Sequence, residues 1–496
     1  MFKNLWDHII SNDYKHYFIF FVIILTYFIL FQPVVHGDSS SYLKLAKEFA
    51  GYPSNYYNGH RSPLYPLILS VFIRIFREEN LLVTILIFQY FILFFSALLL
   101  YKITKKIIAN SFLCFLTVLL FLINPSTIYY SYIILTETLT VFIFLLTIYF
   151  ILNLINEHKI IHLLFSGIST GLLILARFNL LFLPFFILLI VILYLLKNNK
   201  FSIHNLFKSF LIYTLPLLFI LNLWALKNYN TFGEYFLLPT GGVIISRNAL
   251  LTTFDNNTKV DEKNKEIKEI FLASKNKILN ENFKLNESSF LKYSNKLKNF
   301  VYRMNSGFMI YSDAVPEIKK HFVLNDSTNS ILTVDNRLSG FYNNILWDNK
   351  LKMIIPMSYS FLISFKPTPS SPSLNANIGK FTSKIWFLYK IVFIIFMFLF
   401  MYLTIIKLFR IIKNKSVLDN LNIMSITIVI LYFPIVNFLF ATMADANRFK
   451  FPAEPLIIMM LIYYYNIYKN PFIKTTHLSI IRQYKARSGG KVRDEL

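Results

Sequence analysis

The run YFIFFVIILTYFILF at residues 17–31 contains no charged side chain, and runs like it recur along the chain. LLVTILIFQYFILFFSALLL fills 81–100 and LPFFILLIVILYLL fills 183–196. Each approaches the ~20 apolar residues needed to cross hydrocarbon. A water-soluble domain has no surface on which to hide several such segments. With 55% hydrophobic and only 15% charged residues among 496, the chain is expected to be an all-α polytopic membrane protein.

Ten spans fit the pattern, at 17–34, 81–101, 111–124, 137–155, 161–176, 179–196, 209–226, 383–406, 422–441 and 451–468. Loop charge tests the count. With the N-terminus inside, the cytoplasmic loops collect Lys102, Lys105, Lys106, Lys159, Lys197, Lys200, Lys208, Lys407, Arg410, Lys413 and Lys415, whereas outer segment 125–136 has no Lys or Arg. The apolar piece at 63–76 is too short to span and ends at Arg74 and Arg77. It reads as a half-inserted or juxtamembrane helix, because an eleventh span would invert every later loop. The first apolar run lacks a small-residue cleavage site and reads as a retained span.

Four regions follow: 1–226 with spans one to seven and a first outer loop at 35–80, a soluble outer insert of mixed structure at 227–382, spans eight to ten at 383–468, and a basic cytoplasmic tail at 469–496. Within the insert, DEKNKEIKEIFLASKNKILNENF reads as a solvent-facing amphipathic helix. The terminal RDEL resembles a luminal retrieval tag, but this topology leaves it in the cytoplasm. The Asn-x-Ser/Thr matches at Asn256, Asn286 and Asn325 are expected by chance in so Asn-rich a chain.

The net charge of +24 is spread over inner loops and tail rather than gathered on one face, which argues against a nucleic-acid partner. Cys114 is the sole cysteine and lies in an apolar run, so no disulfide framework or thiolate metal site is expected. No His/Cys ligand spacing stands out, and with 13 glycines there is no Gly-rich phosphate loop. No metal or cofactor is called for.

The unusual polar residues fall on one side of the predicted membrane: Asp38, His60 and Arg61 in the first outer loop, Glu137 at the head of span four, Arg177 between spans five and six, and Asp445 and Arg448 before span ten. Such residues are costly at membrane depth and usually face a cavity or one another. Each also has a plainer explanation. Asp38 precedes SSSYLKLAKEF and could cap a helix, with Tyr42 one turn along the same face. Glu137 suits a helix N-terminus, Arg177 and Arg448 could snorkel to headgroups, His60 could be an ordinary loop histidine, and the tyrosines could form an interfacial belt. Taken together, a carboxylate beside arginines at the bilayer edge suits group transfer from an anionic lipid. The carboxylate would be general base to an acceptor hydroxyl and the cations would hold the departing phosphate.

Six segments in register resemble the GT-C membrane glycosyltransferases, in particular the family 39-like branch of protein mannosyltransferases and lipid A aminoarabinose transferases. They are GDSSSYLKLAKEFA (37–50), RSPLYPLILSVFIRIF (61–76), LTETL (135–139), GLLILARFNLLFLPF (171–185), LWALKNYNTFGEYFLLPTGGVIISRN (223–248) and ANRFKFPAEPLIIMML (446–461). The chain departs from the family pattern at Ser39, where a second acid is usual, at Lys227 in place of Arg, and at Phe178 in place of Pro.

The resemblance implies an inverting glycosyltransferase with a polyprenyl-phosphate sugar donor. Asp38 would be the catalytic base, and Tyr42, His60, Arg61, Glu137, Arg177 and Arg448 would contact substrate. The expected place is the cytoplasmic (inner) membrane with the site facing the periplasm or cell exterior, and the acceptor would be a glycan, lipid or protein hydroxyl. A lipid-linked glycan transporter or polymerase, and a structural scaffold, are the alternatives. Neither calls for an acidic residue at the head of the first outer loop.

Overall fold

The computed structural model describes residues 13–35, 37–53, 61–76, 78–237, 251, 255–282, 307–325, 338, 340–342, 350–363, 379–414, 416, 418–440, 448 and 450–469. Among these residues the fold is helical, with one isolated parallel bridge between Val34 and Ile133 and no named strand.

The N-terminal part comprises α1 (Asp13–Leu30), α2 (Gly37–Phe49), α3 (Leu64–Ile75), α4 (Glu78–Lys105), α5 (Ser111–Leu122), α6 (Pro125–Tyr132), α7 (Glu137–Glu157), α8 (Ile161–Ala176), α9 (Leu183–Lys197) and α10 (Ile203–Phe232). The insert contributes α11 (Lys265–Asn282), α12 (Gly307–Asn325) and α13 (Lys350–Ile363). The chain closes with α14 (Gly379–Lys413), α15 (Leu421–Phe440) and α16 (Glu454–Lys469). Every expected span coincides with a helix. Among the described residues, however, only six helices are long and apolar enough to cross by themselves, or up to seven if the bent pair α5–α6 is one span. Helices α8 and α15 are apolar but fall short by that measure.

Local chemistry sets the boundaries. Asn110 caps α5 by accepting from Leu113 N at 3.1 Å. Asn124 caps α6 by accepting from Ser126 N at 3.0 Å, with Pro125 at the first helical position, where its missing N–H costs nothing. The Asn124 cap sits at a 55° bend between α5 and α6. Helix α10 starts at Ser202, whose Oγ accepts from Asn205 N, and stops at Gly233, where φ of +76° suits a residue with no Cβ.

Helix α7 lies at the centre, packed by α4 and α8, and α8 in turn packs on α10. The approach of α8 to α10 is close. A Cβ at Gly167 would lie 2.2 Å from the Tyr213 carbonyl oxygen. Small residues at such crossings let transmembrane helices gain dispersion contact, since lipid gives no hydrophobic drive for association. Thr147 Oγ1 donates to Ser169 Oγ at 2.9 Å and Tyr213 Oη to Thr170 Oγ1 at 3.3 Å, joining α7, α8 and α10.

The segment 63–76 forms α3, which packs on α2, α4 and α8. Arg74 reaches from it to the carbonyls of Phe49 (2.6 Å) and Ala50 (3.3 Å), occupying the acceptors left open at the end of α2. Helix α2 is thereby tied to the membrane body. A second core joins α11 and α12 around Ile267, Phe271, Ile310, Ile318 and Phe341.

Candidate active site

Asp38 is the second residue of α2, so it stands in the first turn rather than at the cap. Its Oδ1 accepts from Arg61 Nη2 at 2.9 Å and its Oδ2 from Arg448 Nη1 at 2.7 Å. Arg448 also donates through Nε to Glu137 Oε1, and Arg177 Nη2 lies 3.5 Å from that same oxygen. One chain of charge therefore runs Arg61, Asp38, Arg448, Glu137, Arg177. It is assembled from α2, the entry to α3, the segment before α16, the head of α7 and the end of α8.

The local backbone explains why these side chains converge. Val34 N donates to Tyr132 O, and Ile134 N to Val34 O, so the approach to α2 lies against the extended residues that lead into Glu137. Arg177 follows α8 in an extended conformation, after which Phe178 N donates weakly to Ser62 Oγ at 3.4 Å. Arg61 is next to Ser62, and its guanidinium sits over the Tyr42 ring at 5.2 Å. Tyr42 packs edge-on against Tyr65, whose hydroxyl donates to Gln89 Oε1 at 2.6 Å. The aromatic pair thus backs the arginine on one side, a cation–π arrangement that fixes the plane of its fork.

Burial grades across the cluster. The Glu137 side chain is fully enclosed and that of Arg177 is 9% exposed, while Arg448, Asp38 and Arg61 are 17%, 30% and 34% exposed. The open end is therefore Asp38 and Arg61. Burial alone would raise the Asp38 carboxyl, but Arg448 and then Arg61 outweigh it and hold the group down at about 2. Three guanidiniums and two carboxylates are thus linked in one network. Glu137 Oε2 is buried with no hydrogen-bond partner among those residues.

Of the residues expected from sequence, Asp38, Tyr42, Arg61, Glu137, Arg177 and Arg448 are brought together. Neither Arg177 nor Arg448 snorkels away, since both turn inward to carboxylates. His60 and Asp445 lie outside the described residues. Among the described residues, no group of three or more His, Cys, Asp or Glu could hold a metal ion.

Sequence reasoning passed over a neighbouring network. Lys450 and Glu454 are 3% and 1% exposed and 3.4 Å apart. Asn124 Nδ2 donates to Glu454 Oε2 at 3.0 Å, and Tyr389 Oη donates to Asn124 Oδ1 at 2.7 Å. The signal available was an i, i+4 Lys–Glu pair at the head of an apolar run. The network ties α14 and α16 to the α5–α6 bend, two residues along the chain from Arg448.

Residues 60–225 match the family model described as dolichyl-phosphate-mannose-protein mannosyltransferase. Over that stretch, about a third of the chain, the protein is similar to this mannosyltransferase family. The matched stretch carries Arg61, Glu137 and Arg177, whereas Asp38 and Arg448 reach the cluster from outside it. No curated protein matches the chain in sequence. Crystal structures of ArnT from Cupriavidus metallidurans, bound to undecaprenyl phosphate and in the apo state, are similar at 12% identity with TM-scores of 0.33 and 0.32. They cover 87% of this chain and 77% and 76% of theirs.

Proposed function

We propose that the chain is a GT-C membrane glycosyltransferase that moves a sugar from a polyprenyl-phosphate-linked donor to an acceptor hydroxyl, with inversion at the anomeric carbon, on the outer face of the cytoplasmic membrane. The observation that carries this reading is the gathering of three guanidiniums, Arg61, Arg177 and Arg448, around Asp38 and Glu137, with Asp38 and Arg61 at the open end of an otherwise enclosed cluster. An anionic phosphate is the complement of such a site, and planar guanidiniums bind its oxygens bidentately. The matched family is named for a donor with its sugar on a lipid phosphate.

In this mechanism the acceptor oxygen attacks the anomeric carbon on the face opposite the phosphate. The carbon–oxygen bond to the phosphate breaks, the acceptor proton passes to Asp38, and the new charge stays on the polyprenyl phosphate beside the arginines. A carboxylate clamped by two guanidiniums is a poor base. Phosphate competes for the same donors, so an arriving donor draws Arg61 and Arg448 from Asp38 and restores its basicity. Buried Glu137 keeps Arg448 and Arg177 in place through the exchange and does not itself touch the sugar. Residues 1–226 with the α16 entry form the catalytic part, and the 227–382 insert meets the acceptor, whether glycan, lipid or protein.

The test is transfer of radiolabel from a panel of polyprenyl-phosphate sugars in membranes containing the protein. Formation of a new glycosidic bond supports the proposal. Label that crosses the membrane still attached to its lipid would mark a transporter, and no turnover of any donor would count against the reading.

A further inference from the structure

Helices α11 and α13 both belong to the insert, yet they distribute their residues in opposite ways. On α11, Ile267, Phe271 and Ile278 face inward while Lys265, Glu266, Glu269 and Lys277 are exposed. That is the pattern of a helix in water. On α13 the inward residues include two hydroxyls, Tyr359 at 9% and Ser360 at 0% exposed. Its outward residues are Ile354, Ile355 and Leu362, at 50%, 50% and 59%. At 100° per residue these three fall within about a third of the helix circumference, so they form one stripe. The sequence KLKMIIPMSYSFLI carries its lysines at 350 and 352, in the first turn, and no charge thereafter. Exposed to water, such a stripe, running from Ile354 to Leu362, would be an unfavourable surface.

The packing of α13 says what covers the stripe. Tyr359 joins the core of the insert, while the helix itself lies along α15, an apolar helix of the membrane body. Toward the end that leads to Arg448, α15 exposes Ile435 and Leu439, at 39% and 55%. Ordinary spans of this protein expose the same kind of surface: Phe91 on α4 and Phe219 on α10 are 61% and 64% exposed. A helix packed against a lipid-facing helix, and apolar on its free side, continues that surface.

We propose that α13 is embedded in the lipid bilayer, with Ile354, Ile355 and Leu362 in contact with hydrocarbon. The insert is therefore anchored in the membrane between its water-facing helices and α14, and does not stand wholly in solvent. A helix of this length reaches part-way through the bilayer, with the lysine-bearing end at the headgroups.

Single cysteines at Ile354 and Leu362, and at Glu269 on α11 as the aqueous control, placed in a Cys114→Ser background, test this in nanodiscs. Expected is at least tenfold slower reaction of the α13 thiols than of Glu269→Cys with a charged, membrane-impermeant maleimide. Nitroxides at the α13 positions should be relaxed more by oxygen than by a polar nickel chelate, with the reverse on α11. Labelling as fast as the control overturns the proposal. So does protection that disappears in nanodiscs holding a single protein molecule, which would assign the stripe to contact between copies of this chain.

Discussion

Arg448 Nη1 donates to Asp38 Oδ2 at 2.7 Å, across 410 positions of sequence. Through its Nε the same guanidinium holds Glu137, so one side chain near the end of the chain sets the position of two carboxylates near its beginning. The α16 entry is therefore part of the site, and the Lys450–Glu454–Asn124 network beneath it secures that entry to the N-terminal helices.

Replacing Asp38 by Asn keeps the size of the side chain and one acceptor for Arg61 or Arg448, but removes its capacity to take a proton. Sugar transfer is expected to fall by at least ~10²-fold, the lower end of what a positioned general base contributes. Expression level and gel-filtration profile should match the parent, and Asp38→Glu should recover part of the rate. Unchanged transfer by the Asn variant would remove Asp38 from the chemistry.

Arg448→Lys keeps the charge but cannot direct two donors at two carboxylates. Its loss leaves buried Glu137 with Arg177 at 3.5 Å as its ion-pair partner. A buried charge left with no partner costs about 3–5 kcal/mol, and the Arg177 pair keeps the loss at Glu137 below that. A fall in melting temperature is expected for Arg448→Met, larger than for Arg61→Met at the more exposed end. Adding Glu137→Gln to Arg448→Met should restore part of the loss, and failure of that rescue in thermal scans would argue that the pair is not what Arg448 stabilises.

How much of this was legible beforehand depended on the kind of signal. Apolar runs gave the helices their places, because hydrocarbon length and hydropathy act locally and leave a mark at each span. The short ones, α8 and α15, show why a count is harder to obtain: whether 16–20 apolar residues cross depends on their neighbours. Asp38, Arg61, Glu137, Arg177 and Arg448 could be suspected from their cost in an apolar setting, yet their order along one chain of ion pairs depends on tertiary packing that no spacing encodes. Lys450 and Glu454 were overlooked because a neighbouring Lys–Glu pair is the commonest helix-surface pattern, and only burial distinguishes this one. Helix α13 was absorbed into a polar insert because its apolar stretch is too short to register as a span.

The α8–α10 crossing offers a test away from the site. Gly167→Ala would place a methyl 2.2 Å from a backbone oxygen and 3.0 Å from Pro216 Cγ, so the helices must separate. Overpacking of this kind costs about 1–3 kcal/mol. Gly171→Ala meets only the Ile220 side chain, at 3.2 Å and beyond, which can shift. The first variant should melt well below the second in detergent, and equal melting temperatures would contradict the crossing.

The clamp on Asp38 makes a distinctive pH dependence. In the free protein the carboxyl titrates at about 2, below its ordinary 3.8, so its ion pairs stabilise the fold fully above 3.8 and are lost as pH falls through about 2. The rate at low donor concentration, kcat/KM, reports the free enzyme and should show no Asp38 limb above pH ~3. At saturating donor the phosphate has taken Arg61 and Arg448, and Asp38 rises toward the ordinary carboxylate value of ~3.9 or beyond, in burial that favours the neutral acid. The acid limb of kcat should therefore lie at least ~1 unit above any limb in kcat/KM, and Asp38→Glu should shift it further. Coincident limbs in the two profiles would mean that the arginines stay on Asp38 throughout turnover, and the exchange with phosphate would have to be abandoned.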